Sequence, residues 1–272
     1  MIGVITQHVH GPVVELRLDR RPANALNHAA CEQWTAALRD AVAGGAEAIV
    51  LSGASGVFSA GADLTELAGM DRGGIAEFCR VLGGLAAEVA RCPVPIAAAL
   101  TGHCLGGASG VALVCDARFM ATGHYRFRIN FVAMGLVPPL YVSRAVERLV
   151  GPGQAARLLI GALALEPDEA RALGIVERTA LPGEVVSVAV DWCRQQLALP
   201  RAAMLETRKR HRAELVACVA PEMLKREIDE MTDRWFGAEV QARLASMVTV
   251  REGHVITGGA TRAAGAGGPS GE

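Results

Sequence analysis

Two short runs near the start of the chain, residues 2–9 and 12–19, alternate apolar and polar positions around His10-Gly11, the pattern of a β-hairpin. A loop from Arg20 to Asn27 follows, with Pro22 inside it. Asn27 is placed to cap a helix over 28–43 whose Cys31, Trp34, Leu38 and Val42 share one face. The stretch 46–52, with a short apolar run ending at Leu51, reads as a buried strand. The segment Gly56–Leu67, GVFSAGADLTEL, then turns through the small residues Ala60, Gly61 and Ala62. Phe78, Val81, Leu82, Leu85 and Val89 recur at helical spacing over 75–91, and Pro93 and Pro95 end that helix and open the next strand.

The stretch Pro95–Asp116, PIAAALTGHCLGGASGVALVCD, repeats the logic of the earlier one. An apolar strand runs into Thr101-Gly102, and a helix opens at Gly106-Gly107. The first turn of a helix leaves N–H groups unpaired and carries partial positive charge. Two small-residue turns with free N–H groups can grip one oxygen that gains negative charge. A strand at 118–121 and an extended piece at 125–131 come next. From Pro139 onward the pattern is helical, with helices expected at 139–150, 153–161, 166–173, 183–198, 201–217, 221–236 and 237–248. Strands alternating with helices first and helices alone later predict an α/β core with a helical C-terminal region.

Composition adds mostly exclusions. The chain has 272 residues, of which 51% are hydrophobic, enough for a sizeable core. A net charge of −1 supports neither nucleic acid nor an anionic membrane as partner. Seven scattered cysteines with no CxxC pair argue against a disulfide framework or a zinc site. The N-terminus lacks the features of a secretory signal, and no apolar run reaches the roughly 18 residues that span a bilayer. The expectation is a soluble, cytoplasmic protein without a bound metal. The Gly/Ala-rich stretch 258–272 is expected to be a disordered tail.

Several segments stand in an order that resembles the crotonase superfamily, the enoyl-CoA hydratase/isomerase family: RPANALN at 21–27, SAGADL at 59–64, LGGASG at 105–110, Cys115-Asp116 and MGLVPP at 134–139. Within it, GVFSAGADLTEL and NFVAMGLVPPLYV look most like the Δ3,Δ2-enoyl-CoA isomerases. The resemblance implies a spiral of β-β-α units over 1–200 that binds acyl-CoA. It further implies a C-terminal helical oligomerisation region at 201–250 and a homotrimer or dimer of trimers, with 251–272 as the tail. It makes Ala62 and Gly107 the oxyanion-hole N–H donors. Ala60, Asp63, Leu64 and Thr65 become the segment along coenzyme A, joined by Ala23 and Ala25, while Asn130 and Phe131 fall beside the acyl group. Coenzyme A belongs to the substrate, so no separate cofactor is expected. For Asp63, a hydrogen bond that holds its own loop is the expectation ahead of any catalytic part.

The chain departs from the family pattern where the reaction is chosen. The hydratase glutamate position is occupied by Gly110, the glutamate position shared with the isomerases by Phe131, and the dienoyl isomerase acid position by Ala133. Hydration needs a base for water and an acid for the α-carbon, and neither stands at its usual place. His103, Cys104, Glu66, Asp71 and Glu77 are the substitutes considered for a proton carrier, and Arg128 is a candidate for an acyl carboxylate. Phe131, Val132 and Met134 are expected to make the acyl site greasy. Two classes of function follow: an enzyme of enoyl-CoA isomerase type with a relocated base, or a non-catalytic acyl-CoA-binding homologue. Thioester hydrolysis or decarboxylation is a third, weaker reading.

Overall fold

The computed structural model describes residues 3–253. Strands β1 (Ile5–His10) and β2 (Val13–Leu18) form the expected hairpin, and Asn27 caps α1 (His28–Ala43) by accepting from Ala30 N at 2.9 Å. Next come β3 (Ala48–Gly53), β4 (Gly56–Ser59), the one-turn α2 (Leu64–Leu67) and α3 (Arg72–Arg91). Then follow β5 (Ile96–Leu100), β6 (Gly102–Leu105), α4 (Gly107–Leu113), β7 (Ala117–Ala121) and β8 (Phe127–Arg128). A 3-10 turn at Val132–Met134 leads to α5 (Leu140–Ile160), β9 (Ala164–Leu165), α6 (Pro167–Ala172) and β10 (Arg178–Ala180). Helices α7 (Val185–Leu197), α8 (Arg201–Ala217), α9 (Pro221–Trp235) and α10 (Ala238–Gly253) complete the described chain. The helices expected at 139–150 and 153–161 are the two arms of α5, kinked at Gly151 (φ 75°, ψ 164°) ahead of Pro152.

The strands fall into two sheets, one of six strands in the order β1-β2-β3-β5-β7-β10 and one of four in the order β4-β6-β8-β9. Each repeat thus places its first strand in the large sheet and its second in the small one, as β3-β4, β5-β6 and β7-β8 do. This is the spiral of β-β-α units that the resemblance implies. The small sheet is the element that the pattern of apolar residues concealed. Strand β4 lies in the stretch expected as a loop, and β6 and β9, like β10 at the edge of the large sheet, carry no strand pattern. They run only two to four residues, too short for a period-two pattern to emerge. The chain turns between sheets in very little space: a Cβ at Gly102 would run into the Gly56 carbonyl group.

Alternate residues of the large sheet serve two cores. Ala48 and Val50 of β3 pack with Ala97, Ala99 and Phe119 against Val185, Ala189 and Cys193 of α7. Ile49 and Leu51 point the other way, into the main core with Trp34, Phe58, Leu85 and Val89. This two-sided burial explains why β3 reads as an unbroken apolar run rather than an alternation.

The C-terminal helices are fastened to the core by a buried ion network. Asp116 accepts from Ile96 N at 2.8 Å and from Arg208 Nε at 2.8 Å, and it pairs with Arg212 Nη1. Arg212 also donates to the Val114 and Ala90 carbonyls at 2.7 and 3.0 Å. Such a network is unforgiving, because removing one partner leaves an uncompensated buried charge. It seats α8, and α9 continues from there onto α3. The apolar residues Ile228, Met231 and Trp235 of α9 line a cavity of their own chain. The tail expected from 251 begins with the end of α10, and residues 254–272 lie outside the described residues. No helix among the described residues is long and apolar enough to cross a membrane, and no cluster of His, Cys, Asp and Glu there is arranged to hold a metal ion.

Candidate functional site

Two turns meet at the site, and local geometry explains why they can. Gly61, at φ 84°, sits so close to the second turn that a Cβ there would lie 2.6 Å from the Leu105 carbonyl oxygen and 3.4 Å from Gly106 Cα. Glycine alone permits both the left-handed φ and the close approach. Gly106, at φ 57°, is the N-cap residue of α4 and donates its N–H to Arg128 O at 2.9 Å.

The first turn is tethered to the loop before α1. Leu26 N donates to Gly61 O at 2.7 Å and Asp63 N to Leu26 O at 2.8 Å, a single parallel bridge centred on Ala62. In a parallel bridge the central residue turns its own N–H away from the partner strand, so the Ala62 N–H is left pointing outward from this bridge. Gly107 is the first residue of α4, where an N–H has no intrahelical acceptor. Neither N–H donates a hydrogen bond among the described residues, and both residues line the same cavity.

That cavity, of about 120 Å3, is bounded by the two turns, α3, the segment before α5 and α9. Of the residues singled out from the sequence, Ala60, Ala62, Leu64, Gly107, Asn130 and Phe131 are in its lining. Ala23, Ala25, Asp63 and Thr65 are not, and they serve the first turn from behind. The Ala23 carbonyl accepts from Ala60 N at 3.0 Å, and the Ala25 carbonyl from Arg20 Nη1 at 3.0 Å. Asp63 caps α2, accepts from Glu66 N at 3.3 Å and pairs with Arg20 Nη1 at 2.7 Å. Burial alone would raise its pKa, but the Arg20 hydrogen bond, the Glu66 and Thr65 N–H groups and the Arg20 charge leave it lowered. Asp63 is the loop-holding residue that was expected. Asn24, buried and at φ 50°, was missed: its Nδ2 donates to the Leu18 carbonyl at 2.9 Å and the Phe58 carbonyl at 3.2 Å, binding the hairpin to β4. An asparagine between two alanines, in a loop held by proline, was the available signal, since asparagine tolerates the left-handed region.

The proton carriers considered from the sequence all lie elsewhere. His103 Nδ1 accepts from Arg126 N at 3.2 Å and its ring stands edge-on to Tyr125, while burial and the Arg126 charge lower its pKa. Cys104 is fully buried, which pushes its thiol well above the usual value. Glu66 accepts from Asn27 Nδ2 at 2.8 Å, Asp71 caps α3, and Glu77 is paired with Arg80 and His28. The Arg80 and His28 hydrogen bonds hold Glu77 down at about 2. Arg128 Nε is turned to the Ala162 carbonyl at 2.8 Å. Val132, expected in the acyl site, is 42% exposed and outside the lining, because the 3-10 turn directs it outward.

Two polar groups not singled out from the sequence also line the cavity, Tyr141 and Glu227. Glu227 lies on the apolar stripe of α9, three residues after Leu224 and four before Met231. An acid on the apolar face of an amphipathic helix was the signal that could have found it. Glu227 Oε1 accepts from Leu140 N at 2.5 Å, at the start of α5.

Comparison with known proteins agrees with this architecture. The family model described as Enoyl-CoA hydratase/isomerase matches residues 9–247. A "Probable enoyl-CoA hydratase echA17" of Mycobacterium avium (strain 104) is 33% identical over 195 residues, covering 70% of this chain and 74% of the relative. The human "Enoyl-CoA delta isomerase 1, mitochondrial" is 31% identical over 153 residues, covering 56% of this chain and 51% of the human protein. Among solved structures, human mitochondrial delta3-delta2-enoyl-CoA isomerase superposes with a TM-score of 0.86 at 23% identity, over 92% of this chain and 98% of that one, a likeness of fold. With the model spanning most of its length and the spiral intact, this chain belongs to the enoyl-CoA hydratase/isomerase family.

Proposed function

We propose that the protein is an enzyme acting on a fatty enoyl-CoA thioester, of the isomerase type, with the Ala62 and Gly107 N–H groups as its oxyanion hole. The observation that carries this reading is that these two N–H groups, both without acceptors among the described residues, border one apolar cavity. Proton loss from the α-carbon of a 3-enoyl thioester sends the electron pair onto the thioester oxygen. Two fixed donors stabilise that charge, each removal costing about 10²–10³ in rate. Return of the proton at the γ-carbon leaves the conjugated 2-enoyl thioester, so nothing is gained or lost in the net reaction. The apolar lining from Leu82, Phe131, Met134 and Leu136 suits a hydrocarbon acyl chain. Ala60 and Leu64, with Ala23, Ala25, Asp63 and Thr65 behind them, are proposed to flank coenzyme A. Assembly as a homotrimer or dimer of trimers, and residence in the cytoplasm, belong to the same proposal.

Hydration is disfavoured by Gly110, which brings no acid or base. The competing reading, a non-catalytic acyl-CoA binder, draws on the same absence together with Phe131. Incubation with a saturated acyl-CoA and a 3-enoyl-CoA in heavy water, followed by NMR, separates the two. Deuterium at the α-carbon and conversion to the 2-enoyl thioester are expected. Binding without exchange would favour the non-catalytic reading.

A further inference from the structure

We propose that Glu227 is the general base that carries the proton, delivered from α9 in place of the missing glutamates at 110 and 131. The proposal rests on the acyl-CoA reading above. Glu227 is the only carboxylate in the cavity lining among the described residues. Its two oxygens are treated differently. Oε1 is engaged by Leu140 N, while Oε2 is buried and has no hydrogen-bond partner. Buried carboxylate oxygens are ordinarily satisfied; this one is closed off and unpaired in the wall of an apolar cavity, and a turn of the Glu227 side chain would bring it to a substrate proton.

Elimination leads to the same group. The other titratable side chains in the lining are Cys79 and Tyr141. Burial pushes the Cys79 thiol up to about 11. Burial, and then the nearby Glu227 charge, push the Tyr141 phenol up as well. Both hold their protons near neutrality, so only Glu227 can accept one. Burial also raises the pKa of Glu227 above 4.5, towards the working range of a base. Through its bond to Leu140 N it is seated on the first turn of α5, next to Tyr141.

The step balances within the site. Oε2 takes the α-proton as the C–H bond breaks, the electron pair passes to the thioester oxygen, and the oxygen is held by the Ala62 and Gly107 N–H groups. The carboxylic acid then returns the proton to the γ-carbon, or to the α-carbon in a saturated thioester.

A merely structural part for Glu227, capping α5 through Leu140 N, is distinguished by Glu227→Gln, which keeps an acceptor but cannot take a proton. With a saturated acyl-CoA in heavy water, Glu227→Gln should bind within about threefold of wild type and lose exchange by about 10²-fold or more. Phe131→Glu added to Glu227→Gln should restore exchange. A Glu227→Gln protein that exchanges within threefold of wild type overturns the proposal and leaves the acyl-CoA reading standing. A wild type that binds without exchange overturns it too. A wild type that fails to bind acyl-CoA overturns the reading beneath it. Should the variant fail to fold, the wild-type pH profile decides. The groups around Glu227 are Tyr141, Cys79 and Cys218, with Arg226 and Glu230 on its own helix. Exchange should decline as pH is lowered, through one inflection above 4.5. Full exchange persisting at pH 4.5 overturns the proposal.

Discussion

The ring of Tyr141 crowds the space that a side chain at Gly110 would need. A Cβ at Gly110 would lie 3.3 Å from the Tyr141 hydroxyl and 3.5 Å from its Cε2, with Val142 Cγ2 at 3.1 Å. The hydratase glutamate position is therefore tight as well as empty of an acid, since Val142 and Tyr141 would have to give by a few tenths of an ångström to admit a side chain. A phenol that stays protonated stands where a carboxylate would titrate.

Gly110→Glu should consequently fail to create a hydratase. Forcing the larger side chain against Tyr141 and Val142 should cost about 1–3 kcal/mol of stability, read from a urea midpoint. Hydration of a 2-enoyl-CoA by a stably folded Gly110→Glu protein would refute this.

Phe131→Glu is expected to behave differently, because Phe131 is only partly buried and lines the cavity. Stability should fall by no more than about 1 kcal/mol. Conversion of 3-enoyl-CoA should rise, by about 10²-fold or more in the Glu227→Gln background. The conjugated product is followed by its ultraviolet absorbance. No gain in a folded protein that binds coenzyme A thioesters would show that residue 131 does not reach the substrate.

Gly107→Pro removes one proposed oxyanion donor at the first helical position, where proline is tolerated. Turnover should fall by about 10²–10³-fold. Normal turnover by a folded variant would remove Gly107 from the oxyanion hole.

Stability should respond to acid through Glu15. Burial would raise its pKa, but hydrogen bonds from Ser52 Oγ at 2.6 Å, His10 and Arg17 together leave it lowered. A lowered pKa means that the folded state holds the ionised form. This stabilisation is present above the unfolded value near 4.5 and is lost as pH falls through the folded value. Glu227 has the opposite sign: its contribution is present below 4.5 and lost as pH rises through its raised folded pKa. Melting curves should therefore show Glu15→Gln less acid-sensitive than wild type. Glu227→Gln should melt higher than wild type at pH 8 and no higher at pH 4. A lower melting temperature for Glu227→Gln at pH 8 would contradict the raised pKa.

Light scattering at micromolar concentration should give the mass of a trimer or hexamer. A monomer mass would remove the proposed assembly.

Local rules decided much of this protein. Asn27 at its cap, Trp34 and Leu38 on one face of α1, and the apolar run of β3 follow from capping and periodicity, so each was legible in the sequence. The two small-residue turns were legible as well, since glycine permits the positive φ found at Gly61 and Gly106. Tertiary structure alone decided the rest. The strands of the small sheet are too short to carry a period, and they exist because their neighbours supply hydrogen bonds. Tyr141 lies 31 residues from Gly110 and narrows its space only after α5 packs on α4. Glu227 comes 120 residues after Gly107 in the chain. It joins the same cavity because the Asp116–Arg208–Arg212 network seats α8 and α9 follows onto α3. Coupling of that kind arises between side chains far apart in sequence, where no local pattern records it.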